Sequence, residues 1–151
     1  MTFTGSGGAA YSSERDDWET PRELFDRIDA IWHFTVDAAS SDSNALCERH
    51  FTAESDGLSQ DWGGERVWCN PPYGRGIKDW IRKGFEESRK PGTVVVMLVP
   101  ARTDTAWYHD YVSQADEVAY LRGRLKFSGA ESNAPFPSML VRFGGALPNG
   151  R

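Results

Sequence analysis

Residues Thr93-Val94-Val95-Val96-Met97-Leu98-Val99 form an unbroken apolar run, bounded by Pro91-Gly92 on one side and Pro100 on the other. A strand with one wet face alternates apolar and polar residues, whereas a strand covered on both faces reads as a continuous run. Pro100 stops it, having no N–H for a ladder. A doubly covered strand needs layers above and below it. In 151 residues there is room for one domain and a single core.

The neighbouring segments have the periods that such layers need. Thr20-Pro21-Arg22-Glu23 reads as a helix start, with Thr20 as N-cap, proline at the first helical position and glutamate three after the cap. Leu24, Phe25, Ile28, Ile31 and Trp32 then repeat on one face. Phe34-Thr35-Val36-Asp37 reads as a short buried strand ending on an acid, and Ala38 to Asn44 as a small, polar loop or short helix start. Residues 45–62 are hard to place beyond a short strand near His50-Phe51-Thr52. Arg66 to Cys69 is a strand. Ile77, Trp80, Ile81, Phe85 and Ser88 have helical spacing, ended by Pro91-Gly92. Asp104 can cap a helix carrying Trp107, Tyr111 and Val112. Glu117–Leu121, Arg124–Phe127 and Ser138–Phe143 are strand-like pieces joined by Gly/Asn/Pro loops, an antiparallel finish. Strands alternating with helices predict a three-layer α/β sheet, mostly parallel, with an antiparallel C-terminal hairpin. The Gly/Ser-rich residues 1–15 read as a flexible tail, 16–146 as the folded domain and 147–151 as a short C-terminal tail.

Chemistry concentrates in Trp68-Cys69-Asn70-Pro71-Pro72-Tyr73-Gly74. A strand ending at Cys69 delivers a stiff loop to the carboxyl edge of the sheet, where open α/β sheets place their ligands. Asn70 offers a side-chain carbonyl and the adjoining backbone offers more acceptors, while the prolines carry no N–H. Tyr73 adds a flat face. Acceptors beside an aromatic plate suit a planar, conjugated amino group. Accepting its hydrogens frees the nitrogen lone pair for attack on an activated methyl group. Taken alone, these residues are equally an ordinary Pro-Pro turn with a boundary tyrosine.

Composition narrows the setting. A net charge of −5 is a poor match to a protein that coats nucleic acid, though local basic patches remain. No run approaches membrane-spanning length, and the N-terminus lacks a signal-peptide layout. Cys47 and Cys69 form no framework, which fits a reducing cytoplasm. Cys47 and His50 have no second pair at matching distance, so no metal is expected.

In this order, Trp18-Glu19-Thr20-Pro21, Phe34 to Ala39, Asp56-Gly57-Leu58 with Asp61-Trp62, Trp68 to Tyr73, Leu98-Val99-Pro100-Ala101, Gly123 to Phe127 and Pro137 to Val141 resemble the small phage-type DNA N6-adenine methyltransferases. These are S-adenosylmethionine-dependent amino-methyltransferases with an Asn-Pro-Pro-Tyr loop. The resemblance covers roughly Trp18 to Gly145. It implies a reduced Rossmann-like methyltransferase sheet, S-adenosylmethionine as cofactor and DNA as partner. It also implies methyl transfer to the exocyclic nitrogen of a flipped-out adenine, in the host cytoplasm if the chain is phage-encoded.

By the same resemblance, Asn70, Pro71, Pro72 and Tyr73 would hold the target base, with Phe127 facing it from the other side and Phe136 as runner-up. Thr20 would open a helix over the cofactor's methionine moiety. Asp37 and Ala38 would lie near its methionine or ribose end, Asp56 would accept from its adenine amino group, and Trp18 would either staple the helix start or stack on the cofactor. Glu48 is the candidate for the ribose hydroxyls. Larger relatives carry glycines after the first strand, where this chain has Asp37-Ala38-Ala39-Ser40. Arg75, Lys78, Arg82 and Lys83, with Arg122, Arg124 and Lys126, are basic clusters placed to meet phosphates. Two other functions share these residues. One is methylation of another planar amino group, a glutamine amide or an RNA base; the other is an inactive nucleic-acid-binding module.

Overall fold

The computed structural model describes residues 18–145. The two expected tails, 1–15 and 147–151, lie outside the described residues. Strands β1 (Val36–Asp37), β2 (Arg66–Cys69), β3 (Val94–Pro100), β4 (Glu117–Tyr120) and β5 (Ser138–Gly144) form one sheet in the order β1-β2-β3-β5-β4. Neighbours β1, β2 and β3 are parallel, with Val36 opposite Val67 and Trp68 opposite Val96. Strand β5 runs antiparallel to both β3 and β4, so it enters the sheet between them. The fold is thus α/β with a five-stranded mixed sheet. Every residue of β3 is buried, as its apolar run predicts.

Helices α1 (Arg22–Trp32), α2 (Ile77–Glu87) and the short α3 (Ala106–Asp110) complete the core. Alternation along the strands sorts them between faces. Phe25 of α1 meets Trp68 edge-on at 5.4 Å. On the opposite face, Gly84 of α2 lets the helix sit so close that a Cβ there would fall 2.7 Å from the Met97 sulfur and 3.3 Å from Val95. Phe85 continues that face onto Tyr111 and Phe143.

Several expectations need correction. The N-cap of α1 is Pro21, and no side chain caps it; the Thr20 hydroxyl is turned to Asn70 instead. Ile31 is 47% exposed, because α1 buries Leu24, Phe25 and Trp32 and turns past it. Thr105, not Asp104, caps α3, its hydroxyl accepting from the Tyr108 N–H at 3.2 Å. Arg124–Phe127 is not a strand: 121–137 is one long connection between β4 and β5. The expected strand at His50 is a single parallel bridge to Asp37.

Candidate active site

Strands β1 and β2 end side by side, and the chain after each rims a cavity of about 540 Å³. Asp37 and Ala38 come from the end of β1, Asn70 and Pro72 from the end of β2, Trp18 and Thr20 from the approach to α1, and Asp56 from the far rim. A crevice beyond the carboxyl ends of parallel strands is where an open α/β sheet binds its ligands. The volume is that of a site for a molecule of a few tens of atoms.

Asn70 is fixed at one end and open at the other. Its Nδ2 donates to the Trp18 carbonyl and, at 3.0 Å, to the Thr20 hydroxyl. A backbone carbonyl can only accept, so the amide orientation follows from chemistry. Its Oδ1 is then buried without a partner. Trp68 Nε1, on another lining residue, is likewise buried and unpaired. Buried polar groups are normally satisfied, so an acceptor without a partner on a residue that lines the cavity suits a ligand with a donor.

Asp37 is 2% exposed, and both its oxygens are engaged. Oδ1 accepts from the Ala39 N–H at 3.3 Å and Oδ2 from the Leu46 N–H at 3.0 Å. Burial pushes this carboxyl up to about 6, against the opposing pull of those N–H groups. Asp37 therefore pins the loop that forms one wall of the cavity.

Asp56 lies on a left-handed backbone (φ 58°) with its side chain accepting from the Leu58 N–H at 3.2 Å. The next residue, Gly57, lets the turn approach the end of β1 closely. A Cβ on Gly57 would lie 2.2 Å from the Ala38 carbonyl oxygen and 3.0 Å from the Trp80 ring. Helix α2 holds this turn in place: Lys83 donates to the Gln60 carbonyl and Glu87 accepts from the Trp62 N–H. The Trp62 indole N–H donates to the Gly57 carbonyl at 3.0 Å.

Tyr73 is buried beside the cavity, its hydroxyl donating to the Leu98 carbonyl at 3.0 Å. Burial pushes its phenol well above the ordinary value. It belongs to an aromatic cluster centred on Phe136, which meets Tyr73 at 5.6 Å, Phe127 at 6.0 Å and Trp18 at 5.3 Å. Tyr73 and Phe127 are 6.4 Å apart at 82°. They are edge to face, so in this conformation no parallel slot for a base stands open between them. The Phe127 loop is tied across the site, with Ser128 donating to the Glu19 and Thr20 carbonyls.

Of the expected site residues, Trp18, Thr20, Asp37, Ala38, Asp56, Asn70 and Pro72 line the cavity. Buried Pro71, Tyr73 and Phe127 are outside its lining, as is the exposed Glu48. Trp68, Trp80, Glu19 and Leu46 line it too and were given no site role from sequence. The two tryptophans follow strand and helix periods, which signal core, and nothing in the pattern marks their cavity side.

Comparison with known proteins places the sequence in a family. The family model described as DNA N-6-adenine-methyltransferase (Dam) matches residues 8–139. A DNA N-6-adenine-methyltransferase of Escherichia phage T1 is 34% identical over 113 residues, which is 74% of this chain and 47% of the relative. One of Haemophilus phage HP1 (strain HP1c1) is 28% identical over 146 residues, 91% of this chain and 84% of the relative. The chain thus spans about half the length of the T1 relative and most of the HP1 relative. With a family match running from before α1 into β5, the chain belongs to the DNA N-6-adenine-methyltransferase (Dam) family.

Proposed function

We propose that this protein transfers a methyl group from S-adenosylmethionine to the exocyclic amino nitrogen of adenine in DNA. The sheet is read as a reduced, three-layer Rossmann-like methyltransferase fold. The observation that carries the proposal is the Asn70 Oδ1 acceptor, buried and unpaired at the end of β2. An amino hydrogen of the target base is the donor it lacks.

The cavity fits the cofactor by volume and by its open polar groups. S-adenosylmethionine supplies, when bound, a methyl group activated by a sulfonium centre. Asp56, a pure acceptor on the exposed rim, suits the cofactor's adenine amino group. Trp18, Thr20, Asp37 and Ala38 form the walls that confine it, with Asp37 acting through the loop it pins. Accepting from the target amino group, Asn70 Oδ1 draws electron density towards the nitrogen and aligns its lone pair. The same oxygen faces the positive charge that grows on the nitrogen as the bond forms, the kind of fixed acceptor that contributes most to such steps. Pro71 and Pro72 keep the loop stiff, which contributes through orientation. Tyr73 and Phe127 are the proposed faces for an extruded base. For them to stack on it, Phe136 has to leave its central place. The exposed Arg75, Lys78, Arg102, Arg122, Arg124 and Lys126 are proposed to meet phosphates.

Incubation with isotopically labelled S-adenosylmethionine and DNA, RNA or a glutamine-containing peptide tests the proposal. Label is expected in DNA, on adenine; label confined to peptide or RNA would replace this substrate with another amino group, and label nowhere would leave a binding module.

A further inference from the structure

A side-chain amide can face two ways, related by a half-turn about its last bond, and the half-turn exchanges acceptor for donors. Only one orientation serves a target amino group. The other would set two N–H groups against two N–H groups. The Asn-Pro-Pro-Tyr loop does not by itself select between them.

The choice is made by a segment far away in sequence. Trp18 and Thr20 precede α1, yet the Trp18 carbonyl and the Thr20 hydroxyl both accept from Asn70 Nδ2. The carbonyl cannot donate, so a flipped amide would press oxygen against oxygen. Thr20 is buried, and its own carbonyl accepts from Ser128 Oγ at 3.1 Å, so the backbone that carries the hydroxyl is tied in place. What remains for Oδ1 is the unpaired position described above.

We infer that the Trp18–Thr20 segment is the positioning device of the site. It holds the Asn70 amide nitrogen so that Oδ1 faces the substrate, and Thr20 is a positioning residue that acts through Asn70. The inference rests on the reading of Asn70 as the acceptor for the target amino group. One consequence is that this site selects an amide over a carboxylate. In Asn70→Asp, an ionised oxygen would face the Trp18 carbonyl, and only a protonated one could donate to it.

Three variants and two readouts test this. Hydrogen exchange of the Asn70 side-chain amide is followed by NMR, with the resonances assigned by their loss in Asn70→Ala. Steady-state methyl transfer is measured alongside. In Thr20→Val one Nδ2 proton loses its acceptor and exchanges faster. The accompanying kcat falls about tenfold, the effect of one hydrogen bond, with KM for DNA unchanged. Thr20→Ser keeps the hydroxyl and restores both readouts. Native-like amide exchange in a folded Thr20→Val, or native kcat despite faster exchange, overturns the inference. Asn70→Asp decides if Thr20→Val does not fold. Its stability relative to the native chain should fall as pH rises from about 5 to 8, since burial against a carbonyl disfavours the ionised form; a constant difference overturns the inference. A native chain without methyl transfer would reject the proposed function, while amide exchange would still report on how Asn70 is held.

Discussion

At the scale of single residues, the site separates groups that face a ligand from groups that hold the protein around it. Asn70→Ala removes the open acceptor without emptying the cofactor walls. It should bind S-adenosylmethionine as the native chain does and lose ~3–4 kcal/mol of transition-state stabilisation, read by calorimetric titration beside a single-turnover assay. Asp56→Asn keeps an oxygen for the Leu58 N–H, so the turn should survive. The cofactor dissociation constant should rise by roughly tenfold to a hundredfold, and an unchanged constant would remove Asp56 from the cofactor site. Asp37 has the opposite character. Its carboxyl is raised from 3.8 to about 6 by burial, so the native state holds the proton more tightly than the unfolded chain. The associated stability is fully present below the unfolded value and is lost as pH rises through about 6. Asp37→Asn gives up one acceptor but cannot ionise, so its stability relative to the native chain should rise across that window, by roughly 3 kcal/mol in total. Denaturant titrations of both proteins at several pH values would show a constant difference if Asp37 were not buried as described.

At the scale of elements, legibility followed the source of each element's stability. Strand β2 was read at its observed limits because the prolines after Cys69 and Asn70 end it chemically. Strand β3 was read from its apolar run, and α2 from its apolar period. The segment 45–62 was opaque because side chains bonding to nearby backbone hold it, not a period. Ser55 Oγ accepts from the Thr52 N–H, Asp56 Oδ1 accepts from the Leu58 N–H, and Gln60 Nε2 donates to the Ser55 carbonyl. Arg124-Leu125-Lys126-Phe127 alternates as a half-buried strand would, but Phe127 is buried in an aromatic cluster and no ladder forms. Each cap lies one residue from its expected place: at α3 adjacent Asp104 and Thr105 offer the same chemistry, while at α1 the Thr20 hydroxyl is engaged by Asn70. Gly57 gives a sharper test of the element picture. With a Cβ 2.2 Å from the Ala38 carbonyl, Gly57→Ala must separate the turn from the end of β1. A loss of about 2–3 kcal/mol is expected, together with weaker cofactor binding. A thermal melt matching the native chain would show that this packing is looser than described.

At the scale of the whole molecule, almost every described element serves the sheet or the cavity. What is left to read DNA is small: the Gly74–Gly76 turn, the Arg102 loop and the stretch from Gly129 to Pro137. One small element typically covers ~3 base pairs, so the recognition site should be short or degenerate, roughly two to four base pairs including the adenine. With a net charge of −5, backbone affinity should rest on a few exposed cations and weaken sharply with salt. Sequencing modified adenines across a genome would reveal a strict site of six or more positions if a recognition element had been overlooked.

The central claim is that the open Asn70 acceptor turns an adenine amino group into the nucleophile. Nucleoside analysis by mass spectrometry, on DNA from a methylation-free host expressing either the native chain or Asn70→Ala at equal levels, tests it most directly. The account predicts N6-methyladenine with the native chain and none with the variant, even though the purified variant still binds S-adenosylmethionine. Equal N6-methyladenine from both, or methylation found on cytosine instead, would contradict it.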